Sequence, residues 1–194
     1  MDSETENTSK LLAFILRHKP ESIGLQLDPE GWARISCLVE QGRAAGHLLN
    51  LGCVMQAIHA GTKRRYEVSE DGLFIRAIQG HSSLQVQRQL QAAHPPEWLF
   101  HGTATRFLPS IQEQGLVPSG RHHVHLSSDQ ATAIEVGRRH GEPVVLRIAA
   151  QRLHAGGHMF HQVENGVWLT SSVPPGFLSL AHEGFRSACR ESGA

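Results

Sequence analysis

The residues whose types and spacing suit chemistry lie between His101 and Ser128. His101-Gly102-Thr103 follows the apolar run Trp98-Leu99-Phe100, and Arg121-His122-His123-Val124-His125-Leu126-Ser127-Ser128 comes after a short helical pattern that reaches Leu116. A strand that ends at Phe100 hands the next residues to a loop, where His101 and Thr103 offer hydrogen bonds and Gly102 allows close backbone approach by a ligand or an unusual turn. The second segment alternates as a half-buried strand does, with His123, His125 and Ser127 on one face and Val124, Leu126 and Ser128 on the other. Outside this stretch, cationic groups gather at Arg17-His18, at Lys63-Arg64-Arg65 and at Arg138-Arg139-His140. Guanidinium presents a planar fork that pairs with phosphate oxygens, and imidazole adds a donor of tunable charge, so several such groups around one anion would form a phosphate-recognition site.

Other chemistries fit less well. His122, His123 and His125 are crowded, but no Cys or HExxH partner stands at a zinc-ligand spacing, so no metal is expected. The GxSxG elbow, the dinucleotide fingerprint GxGxxG and the P-loop are all absent. Cys37, Cys53 and Cys189 lack a CxxC spacing and do not form a disulfide framework, which fits a reducing cytoplasm. Lys plus Arg equals Asp plus Glu at 18 each, so any basic site is local, against a background of 14 histidines. Residues 1–10 are polar and acidic, and no apolar run approaches the roughly 18 residues needed to cross a bilayer.

The elements that must position these groups follow from periodicity. Thr8 or Ser9 caps a helix carrying Leu11, Leu12, Ile15 and Leu16, which Pro20 stops near His18. Arg17, His18 and Lys19 then sit at a helix C-terminus, where cations complement the dipole whether or not they bind an anion. After the turn Asp28-Pro29-Glu30-Gly31, a second helix runs from Trp32 to Gln41 and ends at Gly42. Asn50 caps a third, burying Leu51, Val54, Met55 and Ile58 and ending at Gly61. Lys63–Val68 and Leu73–Ile78 flank the turn Ser69-Glu70-Asp71-Gly72 as a hairpin. Three short helices and a hairpin are the order of a winged helix, in which Lys63, Arg64 and Arg65 either contact phosphate or guard a strand edge. The Gln-rich segment 81–96, ending in Pro95-Pro96, marks a linker between 1–80 and 97–194. Beyond it come strands at 98–100, 124–127, 144–149 and 167–170, and helices at 107–114 and 131–139, the latter capped by Asp129. The polar residues from Gly184 onward have little to fold around. The fold class is α+β.

Leu16-Arg17-His18-Lys19-Pro20, Lys63-x-Arg65-Tyr66, Arg76-Ala77-x-Gln79-Gly80-His81, His101-Gly102-Thr103, Arg121-x-His123-Val124-His125-Leu126-Ser127, Val136-Gly137-x-Arg139-His140-Gly141 and Asn165-Gly166-Val167-Trp168-Leu169-Thr170 occur in that order. Together, across residues 9–180, they closely resemble the RNA 2′-phosphotransferase family, the enzymes named for the last step of tRNA splicing. The resemblance implies a winged-helix lobe followed by an ADP-ribosyltransferase-like lobe that binds NAD. It implies that an internal RNA 2′-phosphate attacks the nicotinamide ribose of NAD, releasing nicotinamide. The 2″-hydroxyl of that ribose then attacks phosphorus, leaving a 2′-hydroxyl RNA and ADP-ribose 1″,2″-cyclic phosphate.

By motif match, the family's essential set falls on Arg17, His18, Arg65 and Arg121. The three arginines are assigned to the RNA phosphate, and His18 to proton transfer or phosphate orientation. His101, Gly102 and Thr103 resemble the NAD-ribose loop, with His125 and Val167 at the other signature positions of the His-His-hydrophobic subclass. Ser127 and Phe160 are further candidates for holding ADP-ribose. The expected partner is an RNA bearing a 2′-phosphate, tRNA-like, with no membrane. Two rival readings are a transferase that places ADP-ribose on a terminal phosphate and stops, and a noncatalytic winged-helix binding module.

Overall fold

Helical spacing of Leu12, Ile15 and Leu16 builds α1 (Ser3–Arg17) in the computed structural model, which describes residues 3–60 and 64–181. Thr8 and Ser9 do not cap it. With Thr5 they lie on its buried face, and the helix starts a turn and more earlier, with Glu4 and Glu6 at its positive end. Its stop is as expected: Lys19 has left helical geometry ahead of Pro20, which opens a single 3₁₀ turn to Ile23. The Tyr66 hydroxyl donates to the Ser9 carbonyl at 2.6 Å, tying the helix to the hairpin.

The stretch from Trp32 departs from the expected helix. Ala33 and Arg34 form β1 (Ala33–Arg34), paired with Ile75 and Phe74, and only then does α2 (Ile35–Ala44) begin. Sheet pairing overrides local helical spacing here, and the second helix runs on past Gly42. That glycine sits inside it because Leu49 packs over it: a Cβ there would come within 2.6 Å of Leu49 Cδ1. Asn50 caps α3 (Leu51–His59) as expected, accepting from the Cys53 amide at 2.9 Å. The face it buries is centred on Val54 and Ala57, whereas Leu51 is 57% exposed. The expected ending at Gly61, the cation Lys63, Cys189 and the terminal stretch from Gly184 all lie outside the described residues. β2 (Tyr66–Val68) and β3 (Phe74–Ala77) form the expected hairpin, with β3 between β1 and β2.

The second half of the chain contains β4 (Trp98–Ala104), α4 (Leu108–Gln114), β5 (Val124–Leu126), α5 (Gln130–Gly137), β6 (Pro143–Ala149), α6 (Ala150–Ala155), β7 (Phe160–Gln162), β8 (Trp168–Thr170) and β9 (Leu178–Leu180). They make two antiparallel sheets, ordered β4-β6-β9 and β5-β8-β7, joined where Phe100 and Ser127 exchange backbone hydrogen bonds of 2.8 and 2.9 Å. Asp129 caps α5 by accepting from the Thr132 amide at 2.7 Å. Elements α6, β7 and β9 were not expected. The strands are three residues long and α6 follows β6 with no breaker, so periodicity has nothing to register. Among the described residues the arrangement is α+β throughout.

One apolar core gathers Leu12, Leu16, Leu38, Val54 and Ile75; another gathers Leu99, Leu126, Ile148, Leu153 and Phe160. Between them Ile78 packs with Val163 and Leu169. The segment read as a linker, 81–96, forms no helix or named strand, yet it is pinned. The Leu27 amide donates to Gln85 Oε1 at 2.8 Å, and the Gln89 amide to Glu30 Oε1 at 2.9 Å.

An ion-pair network spans the two halves beside this apolar seam. Arg76 meets Glu67 at 2.7 Å, Glu164 at 3.2 Å and Glu30 at 3.4 Å, while Arg88 meets Glu164 at 2.9 Å. The Arg76 and Arg88 side chains are only 11% and 9% exposed. Burial works against ionisation of Glu164, but the Arg88 hydrogen bond and the charges of Arg88 and Arg76 outweigh it, so the carboxyl titrates below its ordinary range. Replacing Glu164 by alanine is expected to cost roughly 1.5–3 kcal/mol, the range for a charged hydrogen-bonded group, and urea unfolding would measure it. A parent-like midpoint would show that the network contributes nothing.

Candidate active site

The end of α1 places Arg17 and His18. The Arg17 carbonyl accepts from the amides of Ser82 at 2.8 Å and Ser83 at 3.1 Å, and His18 Nδ1 lies 2.9 Å from Ser82 Oγ. Arg65 precedes β2, and its carbonyl accepts from the Ile78 amide at 3.0 Å. Arg121 comes from the other half, just ahead of β5, and the neighbouring His122 amide donates to the His81 carbonyl at 3.2 Å. One connection therefore draws the two halves together beside the cationic groups.

Their proximity shows in their electrostatics. Burial, then the charges of Arg121 and Arg65, press down on the proton affinity of Arg17. Burial, then Arg121 and Arg17, hold the His18 imidazole below its ordinary range. Burial raises the Tyr66 phenol, with Arg17 and Arg65 opposing. Among the described residues no carboxylate forms an ion pair with Arg17, Arg65 or Arg121, although the same chain surrounds Arg76 with three. Cations held together without counter-charge repel one another, and an anion in their midst reverses that cost.

Beside them lies a cleft lined by Gln79, Gly80, His81, Arg88, His122 and His123. Buried polar atoms without a protein partner cluster around it: Arg17 Nε, Gln79 Oε1, His81 Nε2 and His125 Nε2. Such atoms are scarce in folded proteins unless water or a ligand satisfies them. His101 joins the cluster through His125, its Nδ1 lying 3.0 Å from the His125 carbonyl.

His81, only 6% exposed, and His125 are both pushed down to about 3, chiefly by burial and next by the charges of Arg17 and Arg121 respectively. Folded, each stays neutral well below pH 6.5; unfolded, each takes up a proton near that pH. The unfolded chain therefore binds more protons, and stability is expected to fall as pH drops from 6.5 toward 3. The slope is about 1.4 kcal/mol per pH unit for each such proton. Urea midpoints at a series of pH values check this, and a flat profile would contradict it.

The structure treats the remaining sequence candidates unevenly. His101, Gly102 and Thr103 do not form a loop: β4 continues to Ala104, pairing His101 with Leu146 and Thr103 with Val144. Gly102 faces α5, where a Cβ would stand 1.7 Å from the Ala133 carbonyl oxygen, so its role is close helix-on-strand packing. Thr103 is buried as well. Ser127 sits half-buried at the bridge to Phe100, and Val167 packs with the Ile78, Val163 and Leu169 group. Phe160 lies deeper. Its side chain is 0% exposed inside the second core. β7 turns its ring inward.

A match to the family model described as "RNA 2'-phosphotransferase, Tpt1 / KptA family" covers residues 3–172. The chain belongs to the RNA 2′-phosphotransferase family. Among its relatives, a protein of Pseudomonas aeruginosa (strain UCBPP-PA14) named "Probable RNA 2'-phosphotransferase" is 52% identical over 93% of this chain and 100% of its own length. Proteins of the same name from Burkholderia lata and Acaryochloris marina are 54% and 51% identical, covering 88% and 90% of this chain and 88% and 96% of their own. Reading the sequence alone left out Ser82 as the partner of His18 and Gly80 as the residue that closes over Arg17. The motif Gln79-Gly80-His81 carries that signal, but its residue types show neither the turn over Arg17 nor the contact with His18.

Proposed function

We propose that this phosphotransferase removes an internal 2′-phosphate from RNA in two steps, with NAD as co-substrate, yielding 2′-hydroxyl RNA, nicotinamide and ADP-ribose 1″,2″-cyclic phosphate. The single observation that carries this reading is the group Arg17, His18, Arg65 and Arg121, drawn from both halves, mutually repelling and without a carboxylate partner among the described residues. In this reading residues 1–80 serve as a winged-helix RNA-binding lobe and residues 97–194 as an ADP-ribosyltransferase-like lobe.

The arginines bind and aim the phosphate, then stabilise the charge that gathers on it as the ribose hydroxyl attacks phosphorus. His18 lies beside Arg121 and Arg17 and orients the same phosphate or moves a proton. When bound, NAD supplies the electrophilic ribose carbon. The residues present fit it, since His125 Nε2 is a buried polar atom in want of a partner and the His101 ring is fixed against the His125 carbonyl. No general base is needed for the first step because the attacking phosphate is already anionic.

Incubation with NAD and an oligonucleotide bearing one internal 2′-phosphate tests this directly. The expected products are nicotinamide, the cyclic phosphate and a strand with a free 2′-hydroxyl. A stable ADP-ribosylated strand without cyclic phosphate would favour modification of terminal phosphates instead. No release of nicotinamide at all would favour a binding module.

A further inference from the structure

We propose that Ser82 is a positioning residue for His18: its hydroxyl donates to Nδ1 and holds the imidazole in the tautomer that carries its proton on Nε2, so that His18 meets a bound phosphate as a hydrogen-bond donor. The inference deepens the phosphate-removal reading above and rests on it.

The geometry begins with the backbone. Gly80 has φ 88°, a conformation that lets the chain turn over Arg17; a Cβ at that position would stand 3.6 Å from both Arg17 Cδ and Nη1. Next, the His81 carbonyl accepts from His122, the neighbour of Arg121. The Ser82 amide then returns to the Arg17 carbonyl at 2.8 Å, which places its Oγ 2.9 Å from His18 Nδ1. Residues 80–83 thus form one strap that sets the Arg17 carbonyl, the His18 ring and the Arg121 loop together. A hydroxyl anchored this way is not a free rotor on the surface, and its partner is set by the fold.

The direction of the hydrogen bond follows from what faces the other nitrogen. Among the described residues the Ser82 hydroxyl has no acceptor besides His18, and His18 Nε2 has no protein partner. If Nδ1–H donated to Ser82, the hydroxyl proton would go unused and Nε2 would present a lone pair to the incoming phosphate oxygens, which repel it. Donation from Ser82 uses that proton and leaves Nε2–H aimed at the anion. A doubly protonated ring would also donate, but His18 is half-buried and faces the guanidinium groups of Arg17 and Arg121, which disfavour a further charge before phosphate arrives.

Nitrogen-15 NMR of the full chain at pH 7.5 reads the tautomer without reference to activity. The expected result is a protonated Nε2 and an unprotonated Nδ1 at His18, and the reverse pattern would overturn the proposal. In turnover of the 2′-phosphorylated oligonucleotide with NAD, Ser82→Ala is expected to lower kcat roughly tenfold, the effect of one ordinary hydrogen bond. Ser82→Thr, which keeps the hydroxyl, should restore most of it, with the KM for NAD unchanged in both. Parent-like kcat in Ser82→Ala would refute the positioning role, and should that variant not fold, the spectrum of the parent decides. If the parent itself fails to release a 2′-hydroxyl strand, the functional reading falls, whereas the tautomer measurement stands or falls separately.

Discussion

Arg121→Ala is expected to fold as the parent does and to lose roughly 10²- to 10³-fold of its turnover of 2′-phosphorylated RNA, the scale seen when one charge-stabilising donor is taken from a transition state. Arg121 is exposed, lies ahead of β5 and makes no side-chain hydrogen bond or ion pair among the described residues, so truncation breaks neither. What it removes is one of the cations that face the proposed phosphate. The same change has a second readout that needs no substrate. Arg121 helps to hold His18 below its ordinary titration range, so its loss should move the His18 midpoint upward, visible by NMR. Lysine at the same position is expected to recover the His18 shift better than the activity, because an ammonium lacks the planar fork that grips two phosphate oxygens. Parent-like turnover in Arg121→Ala would remove that arginine from the site, and a collapsed fold would show that its role is structural.

Gly102→Ala is expected to cost about 4 kcal/mol or more, since its added Cβ would make the closest contact of any at the described glycines. The added Cβ would fall 1.7 Å from the Ala133 oxygen, 2.6 Å from the Ala133 carbonyl carbon and 2.9 Å from the Gly137 amide nitrogen. All are backbone atoms of α5, so no side-chain rotation relieves the overlap and the helix must lift off β4. Gly137 forms the other half of the same contact: a Cβ there would stand 2.6 Å from the Thr103 carbonyl oxygen. Lifting α5 also disturbs the strand that carries His101, so loss of stability and loss of the proposed NAD binding should arrive together. Urea unfolding measures the first. A midpoint close to the parent's would mean that α5 can move away at little cost.

Gly102 also shows where reading the chain alone falls short. A glycine after an apolar run, flanked by histidine and threonine, has the local appearance of a ligand loop. Nothing within those residues reveals that β6 pairs with them one for one or that α5 lies across them. Ala33 and Arg34 are likewise drawn into a strand, by Ile75 and Phe74. Local rules did hold where the physics is local: the Pro20 stop, the Asn50 and Asp129 caps and the hairpin about Gly72 each depend on residues within a turn of one another.

The sequence by itself determined the α+β class, most of the longer elements, and the chemical character of the site, because side-chain type decides that guanidinium and imidazole groups suit a phosphate. Its ordered motifs also determined the family. Only the tertiary structure decided which of those groups meet. Arg17 and Arg121 lie far apart along the chain and become neighbours through the strap at 80–83, the apolar seam around Ile78 and the Arg76–Glu164–Arg88 network. It likewise buried the Phe160 ring in the second core and brought Ser82 to His18. The reason is one of range: periodicity, caps and turns are set by neighbours in the chain, whereas convergence of charge requires the whole chain to bury its apolar faces first.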